Sequence, residues 1–282
     1  MSLNLLSIMQ KNKLSLLLSV SFIVFFVQLC FAQKPDTVHI SSSYINTKYL
    51  REGTHRYLVY FKLNKDSVRT QTQFWTRTIK RTEYNGMPVI QIKQSWEDKD
   101  SIMHTVESVS DAKTMQPLYH STWWKIQTSR NATTKTVMET TVDFSKQTVN
   151  YNGLILSDAD TAKQLKAIWA AYKSAEGKYF LNWHLDLETF PILQYRTGVT
   201  FVIPFYDPGT TSNYQEVAYT VIGSGKLIGF NEQKIDCWLL QHESKGNKEV
   251  FWISKKTREV LKLEQELNGR FYRYKIKLGF SM

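Results

Sequence analysis

From Tyr57 onward, apolar and polar side chains alternate with a period of two, and turn residues break the alternation at short intervals. Tyr57, Val59 and Phe61 share one face of a first strand, and Phe74, Thr76, Thr78 and Lys80 share a more polar face of a second. Asn85-Gly86 predicts a tight hairpin. In the strand after it, Val89, Gln91, Lys93 and Ser95 oppose Ile90, Ile92, Gln94 and Trp96. Charged or polar turns at 97–101, 130–133 and 145–146 separate three further alternating runs, so residues 40–153 predict an antiparallel meander of about seven strands.

The period then changes. Over 158–175, Leu165, Ile168, Trp169 and Tyr172 fall on one helical face, after an acidic first turn and before Gly177. A shorter helical piece is expected over 184–195, bent by Pro191. Strands resume over 198–282 as about six segments with hairpin-length connections, including the turns Asp207-Pro208-Gly209 and Asn268-Gly269. No linker rich in Pro, Gly or Ser divides the chain. The expected fold is therefore mainly β: one domain over 33–282, a strongly curved antiparallel sheet or incomplete β-barrel, with the 158–175 helix packed against its concave face.

The N-terminus changes the picture of where this domain works. Lys11 and Lys13 precede an uncharged apolar run over 14–31, and Cys30 and Ala32 put small residues three and one before a cut at Gln33. Residues 1–32 thus read as a cleavable export signal. The run is nearly long enough for an uncleaved anchor, but no stop-transfer charges crowd its end. Lipidation of Cys30 is disfavoured by the bulky Leu29. A periplasmic or secreted location follows.

Loss of Lys11 and Lys13 lowers the formal charge from +11 to +9. The remaining cations are scattered (Arg77, Lys80, Arg81; Lys255, Lys256, Arg258; Arg270, Arg273, Lys275, Lys277), and many alternate with apolar residues as on a solvated strand face. Such a surface suits attraction to an anionic membrane better than nucleic acid, for which a helical basic stripe is missing. Cys237 alone survives cleavage, so no internal disulfide is possible, and its place in IDCWLL predicts burial as a small hydrophobe.

Chemistry-bearing motifs are sparse. None of the six histidines is spaced with another as metal ligands would be, no Gly-x-Ser-x-Gly elbow is present, and no phosphate-cradling or cofactor motif occurs. His184, Asp186 and Glu188 form the densest titratable segment. On a helix, however, residues two apart do not share a face, and acidic residues near a helix start are ordinary.

The stretch from FPILQYRTGVTFVIPFYDPG through IDCWLLQHE to VFWISKKTREVLKLEQEL resembles a family of secreted Gram-negative envelope proteins of unknown function. The resemblance is carried by Gly198, residues 204–209, Val221 to Gly223, Asp236 to Trp238 and Phe251 to Arg258. KTMQPLYHSTWW matches that family more loosely. The closing hairpin is also similar to outer-membrane lipoprotein-carrier and lipoprotein-sorting proteins. That likeness implies an incomplete β-barrel, plugged by helices, that holds lipid or lipoprotein acyl chains.

Three expectations compete. A non-enzymatic lipid-binding protein would enclose a cavity, with Trp123, Trp169, Tyr172, Trp183 and Phe205 as lining candidates. An interaction module would dock a protein or envelope polymer through a sheet edge or basic face, around a filled core. A hydrolase would bring His184, Asp186 and Glu188 together in one cleft.

Overall fold

The computed structural model describes residues 36–99, 101–127, 135–229 and 232–279. The expected signal over 1–32, with Lys11, Lys13, Cys30 and Ala32, and the polar turn at 130–133 lie outside them. Among the described residues the first meander has seven antiparallel strands: β2 (Gly53–Lys62), β3 (Thr70–Tyr84), β4 (Met87–Glu97), β5 (Ile102–Asp111), β6 (Pro117–Gln127), β7 (Lys135–Asp143) and β8 (Thr148–Tyr151), followed by the short β9 (Leu154–Ile155). The second has β11 (Thr200–Tyr206), β12 (Gln215–Ile228), β13 (Lys234–Ser244), β14 (Asn247–Ser254), β15 (Val260–Leu267) and β16 (Phe271–Leu278). The β3–β4 hairpin turns on Asn85 and Gly86, both with positive φ (51° and 75°), the backbone a two-residue turn needs to match strand twist.

A single ladder joins the two runs, because β16 pairs antiparallel with β2. The order is β1 (Thr37–His39), then β11 to β16, then β2 to β9, and the sheet does not close because β1 and β9 are its two ends. Two pairings are parallel: β1 with β11, and β10 (Leu181–Asn182) with β11.

Helix α1 (Lys163–Ala175) begins later than the acidic run suggested. Those carboxylates serve the preceding turn instead: Asp160 accepts from the Ser157 backbone N–H (2.6 Å), and Asp158 accepts from the Trp169 indole (2.8 Å). The helix also does not fill the main core. Its Ile168, Ala171, Tyr172 and Ala175 pack in a smaller cluster with Val142, Val149, Phe180 and Tyr206. The main cluster belongs to the segment that follows, where the turn Trp183–Leu185, the single helical turn α2 (Asp186–Thr189) and the turn Phe190–Ile192 run together. Leu185, Leu187, Phe190 and Ile192 there join Tyr57, Trp75, Ile79, Ile90 and Ile92 from one flank of the sheet and Phe201, Tyr219, Leu240, Phe251 and Leu263 from the other. The physical reason is that this segment buries its apolar side chains against both flanks of the sheet and its carboxylates, Asp186 and Glu188, against Arg77 and Lys275, whereas α1 keeps a polar face for water.

Gly209, in the β11–β12 turn, has φ +79°, and a Cβ there would collide with Thr140 of β7. Gly209→Ala is expected to destabilise the protein by about 2 kcal/mol, through backbone strain plus the clash. A denaturant midpoint unchanged from the parent would refute that contact.

Candidate functional site

A cavity of about 390 Å³ opens against the 183–186 turn. Its lining alternates aromatic and ionic groups: Trp75, Trp96, Trp124, Trp183, Tyr219 and Phe251 beside Arg77, His184, Asp186, Asp207, Glu249, Gln265, Arg273 and Lys275. The volume lies at the small end of ligand pockets.

Strand periodicity explains the ionic side. In β16, Arg273, Lys275 and Lys277 share one face, and in β3 Arg77 lies in phase with Trp75 and Ile79. The solvated strand face expected for these cations is the interior face: Arg77, Lys275 and Lys277 are buried, while Tyr272, Tyr274 and Ile276 face the other way and are half-buried. Buried charge is tolerated only when paired. Arg77 bridges Glu188 through Nη1 and Asp186 through Nη2 (3.4 Å), and Lys275 Nζ donates to Asp186 Oδ2 at 2.7 Å. Farther along β16, Lys277 donates to Glu259 at 2.6 Å.

Burial sets the protonation states. It raises the Glu188 carboxyl, with Arg77 opposing. It also pushes the Lys275 ammonium down to about 8, with Asp186 opposing. For Asp186 burial acts upward too, but Lys275 and Arg77 outweigh it and hold the group below the usual carboxylate range. Burial likewise raises Glu249, which accepts from Tyr219 Oη (2.7 Å) and Gln265 Nε2 (3.1 Å). Glu249, Gln265 and Arg273 are consecutive cross-strand neighbours on β14, β15 and β16.

Three imidazoles cluster beside the cavity's tryptophans, and His184 among them lines the cavity. Trp75 and Trp96 stack at 3.7 Å, and His104 stacks on Trp124 at 3.5 Å. His104 Nδ1 lies 2.8 Å from the Trp123 carbonyl oxygen, which can only accept, so Nδ1 carries the proton and Nε2 is bare. His184 Nε2, 2.9 Å away, must then donate to it. Asn182 donates to His120 Nδ1 at 3.0 Å, since the other end of that amide already accepts from the His184 backbone. The His120 proton is therefore on Nε2, a buried atom with no partner.

Burial, with His184 adding repulsion, lowers His104 to about 3 and holds His120 well below the usual imidazole range. The unfolded chain, with ordinary histidines, binds more protons than the folded chain between about pH 6.5 and pH 3. Stability is thus expected to fall as pH drops through that window, by up to about 1.4 kcal/mol per pH unit for each histidine. Thermal melts of the parent and of His104→Phe across the window check this: the variant's midpoint falls less steeply. Parallel curves would show that His104 does not resist protonation.

Of the five lining candidates from the sequence, Trp183 borders the cavity and stacks on Phe205, which is fully buried behind it (5.3 Å). Trp123 sits on the opposite face of β6 from His120 and Trp124, because adjacent strand residues point to opposite sides. Trp169 and Tyr172 stack on each other in α1, in the smaller cluster, and Tyr172 borders a separate pocket of about 180 Å³. His184 and Asp186 do reach the cavity, but no hydrogen bond links His184, Asp186 and Glu188, and Glu188 is held by Arg77. Among the described residues no group of three or more His, Cys, Asp or Glu side chains is placed to hold a metal ion. Cys237 is fully buried, and burial raises its thiol to about 11, so it is an inert packing residue.

The residues that sequence reasoning missed, chiefly Arg77, Asp207, Glu249, Gln265 and Arg273, carried one usable signal. Arg77 is in phase with Trp75 and Ile79, which a strand buried on that face had to turn inward.

An open antiparallel sheet with a mixed aromatic and ionic cavity against its buried segment defines the class. Residues 56–277 match the family DUF3108, described as protein of unknown function, and the chain belongs to that family. No curated protein matches the chain.

Proposed function

We propose that the chain is an exported, non-enzymatic envelope protein that holds an amphipathic, lipid-like ligand, with the ligand's polar group inside the 390 Å³ cavity. In this reading the sheet curves around residues 181–193 as a half-barrel like that of lipoprotein carriers. Support comes from contacts on both flanks of the same segment: His184 stacks at 5.6 Å with Trp96 of β4, and Phe190 packs at 4.5 Å on Phe251 of β14. The carrying observation is the cavity's composition. Ion pairs and tryptophan faces share one wall, and an acyl chain laid over Arg77, Asp186 and Lys275 would desolvate them without return. The head of an amphiphile belongs there, with its chains toward the opening.

Expression of the full chain in a Gram-negative host, followed by native mass spectrometry in the presence of envelope lipid extract, tests the reading. The expected species lacks residues 1–32 and retains one lipid. Protein that keeps its N-terminus, or that retains no lipid, counts against export or against the ligand respectively.

A further inference from the structure

The charges lining the cavity do not all find partners within the protein. Arg77, Glu188, Asp186 and Lys275 neutralise one another in a connected set. Arg273 stands outside it. Its guanidinium faces the cavity, makes no hydrogen bond or ion pair within 4 Å among the described residues, and leaves a buried Nε without an acceptor. Asp186 and Glu249 act on it only at longer range.

Asp207 is the complementary case. Its Oδ1 is buried without a hydrogen bond and faces His184 Nδ1 across 3.7 Å. His184 spends its Nε2 edge on His104, so only its Nδ1 edge is turned toward Asp207. At that distance no hydrogen bond forms, which leaves Asp207 Oδ1 open to a donor from outside the protein. Gln265 adds a second unpartnered acceptor, Oε1, beside Arg273. One cavity therefore presents an unpaired guanidinium on β16 and an unpaired carboxylate oxygen at Asp207, between tryptophan faces that also attract cations.

We infer that the cavity recognises a zwitterion bearing an acid group and a primary ammonium, the acid group on Arg273 and the ammonium on Asp207. This rests on the proposed function and names the polar group of its ligand. A purely anionic group would satisfy Arg273 but leave Asp207 repelled. A neutral one would satisfy neither. The chemistry is shared by an aminophospholipid head and by a free zwitterion of the same make-up.

Tryptophan fluorescence titration of the exported protein separates these cases, since Trp75, Trp96, Trp124 and Trp183 all border the cavity. The probes are dihexanoyl phosphatidylethanolamine, dihexanoyl phosphatidylglycerol and chain-free glycerophosphoethanolamine. The ethanolamine lipid is expected to bind at least tenfold more tightly than the glycerol lipid. Arg273→Met should weaken both by at least tenfold, and Asp207→Asn should weaken only the ethanolamine lipid. Arg273→Lys and Asp207→Glu, which keep the charges, should retain most of the affinity, and near-ultraviolet circular dichroism confirms that each variant is folded. Glycerophosphoethanolamine binding as tightly as the lipid would identify a soluble zwitterion as the ligand and uphold the inference. Equal affinity for both lipids, with tryptophan quenching intact, overturns the zwitterion and leaves the cavity reading standing. No binding of any probe, together with no lipid retained in native mass spectrometry, overturns both.

Discussion

Arg77→Ala is expected to lower the thermal midpoint by about 10 °C, the largest effect of any charge removal in this protein. Arg77 is 1% exposed and is the counter-ion of Glu188 and, in part, of Asp186. Deleting one member of a buried pair leaves the other charge unsolvated, at a cost of about 3–5 kcal/mol. Glu188 can escape part of that cost by taking up a proton. Its carboxyl is already raised by burial, and without Arg77 it rises further. A raised folded pKa means that the folded state binds the extra proton, so this relief is available near pH 5 and is lost as pH rises through the folded pKa. The deficit of Arg77→Ala relative to the parent should therefore widen between pH 5 and pH 8. Adding Glu188→Gln should recover part of the loss at pH 8 and little at pH 5. Equal deficits at both pH values, in urea titrations of the parent and the two variants, would mean that Glu188 is not the partner left stranded.

Phe190→Ala should cost about 3–5 kcal/mol, the usual range for emptying a buried aromatic site. The ring is fully buried and meets Tyr219 of β12 at 4.9 Å and Phe251 of β14 at 4.5 Å. Trp169→Ala in α1 should cost less despite the larger side chain, because that residue is only half-buried and belongs to the smaller cluster. The comparison decides between two architectures. If the amphipathic helix filled the sheet, Trp169→Ala would be the more damaging change. Matched denaturant midpoints for the two variants, with unchanged slopes, give the answer directly.

The strands themselves were legible in the chain. Period-two alternation and φ-positive turn pairs such as Asn85-Gly86 are local properties, set by pleat geometry and steric limits that act over a few residues. The strand-rich fold, both meanders, the short helical piece before the second meander and the burial of Cys237 all followed from such rules. Which face of a strand turns inward is a different kind of fact. In β16, YRYKIKL reads with equal ease as a solvated basic face or a buried one, because alternation fixes only that the two faces differ. The choice fell to pairing across long separations in sequence. Lys275 is tolerable inside because Asp186 lies 2.7 Å from it, and Arg77 because Glu188 and Asp186 arrive from the same turn. The same reason hid the cavity. Arg273, Asp207 and His184 come from β16, the β11–β12 turn and the buried segment, and nothing in their spacing along the chain relates them. Local sterics thus made strands, turns and a helix readable from the sequence, whereas the assignment of charge to the interior depended on Coulombic partners that only the assembled sheet brings within reach.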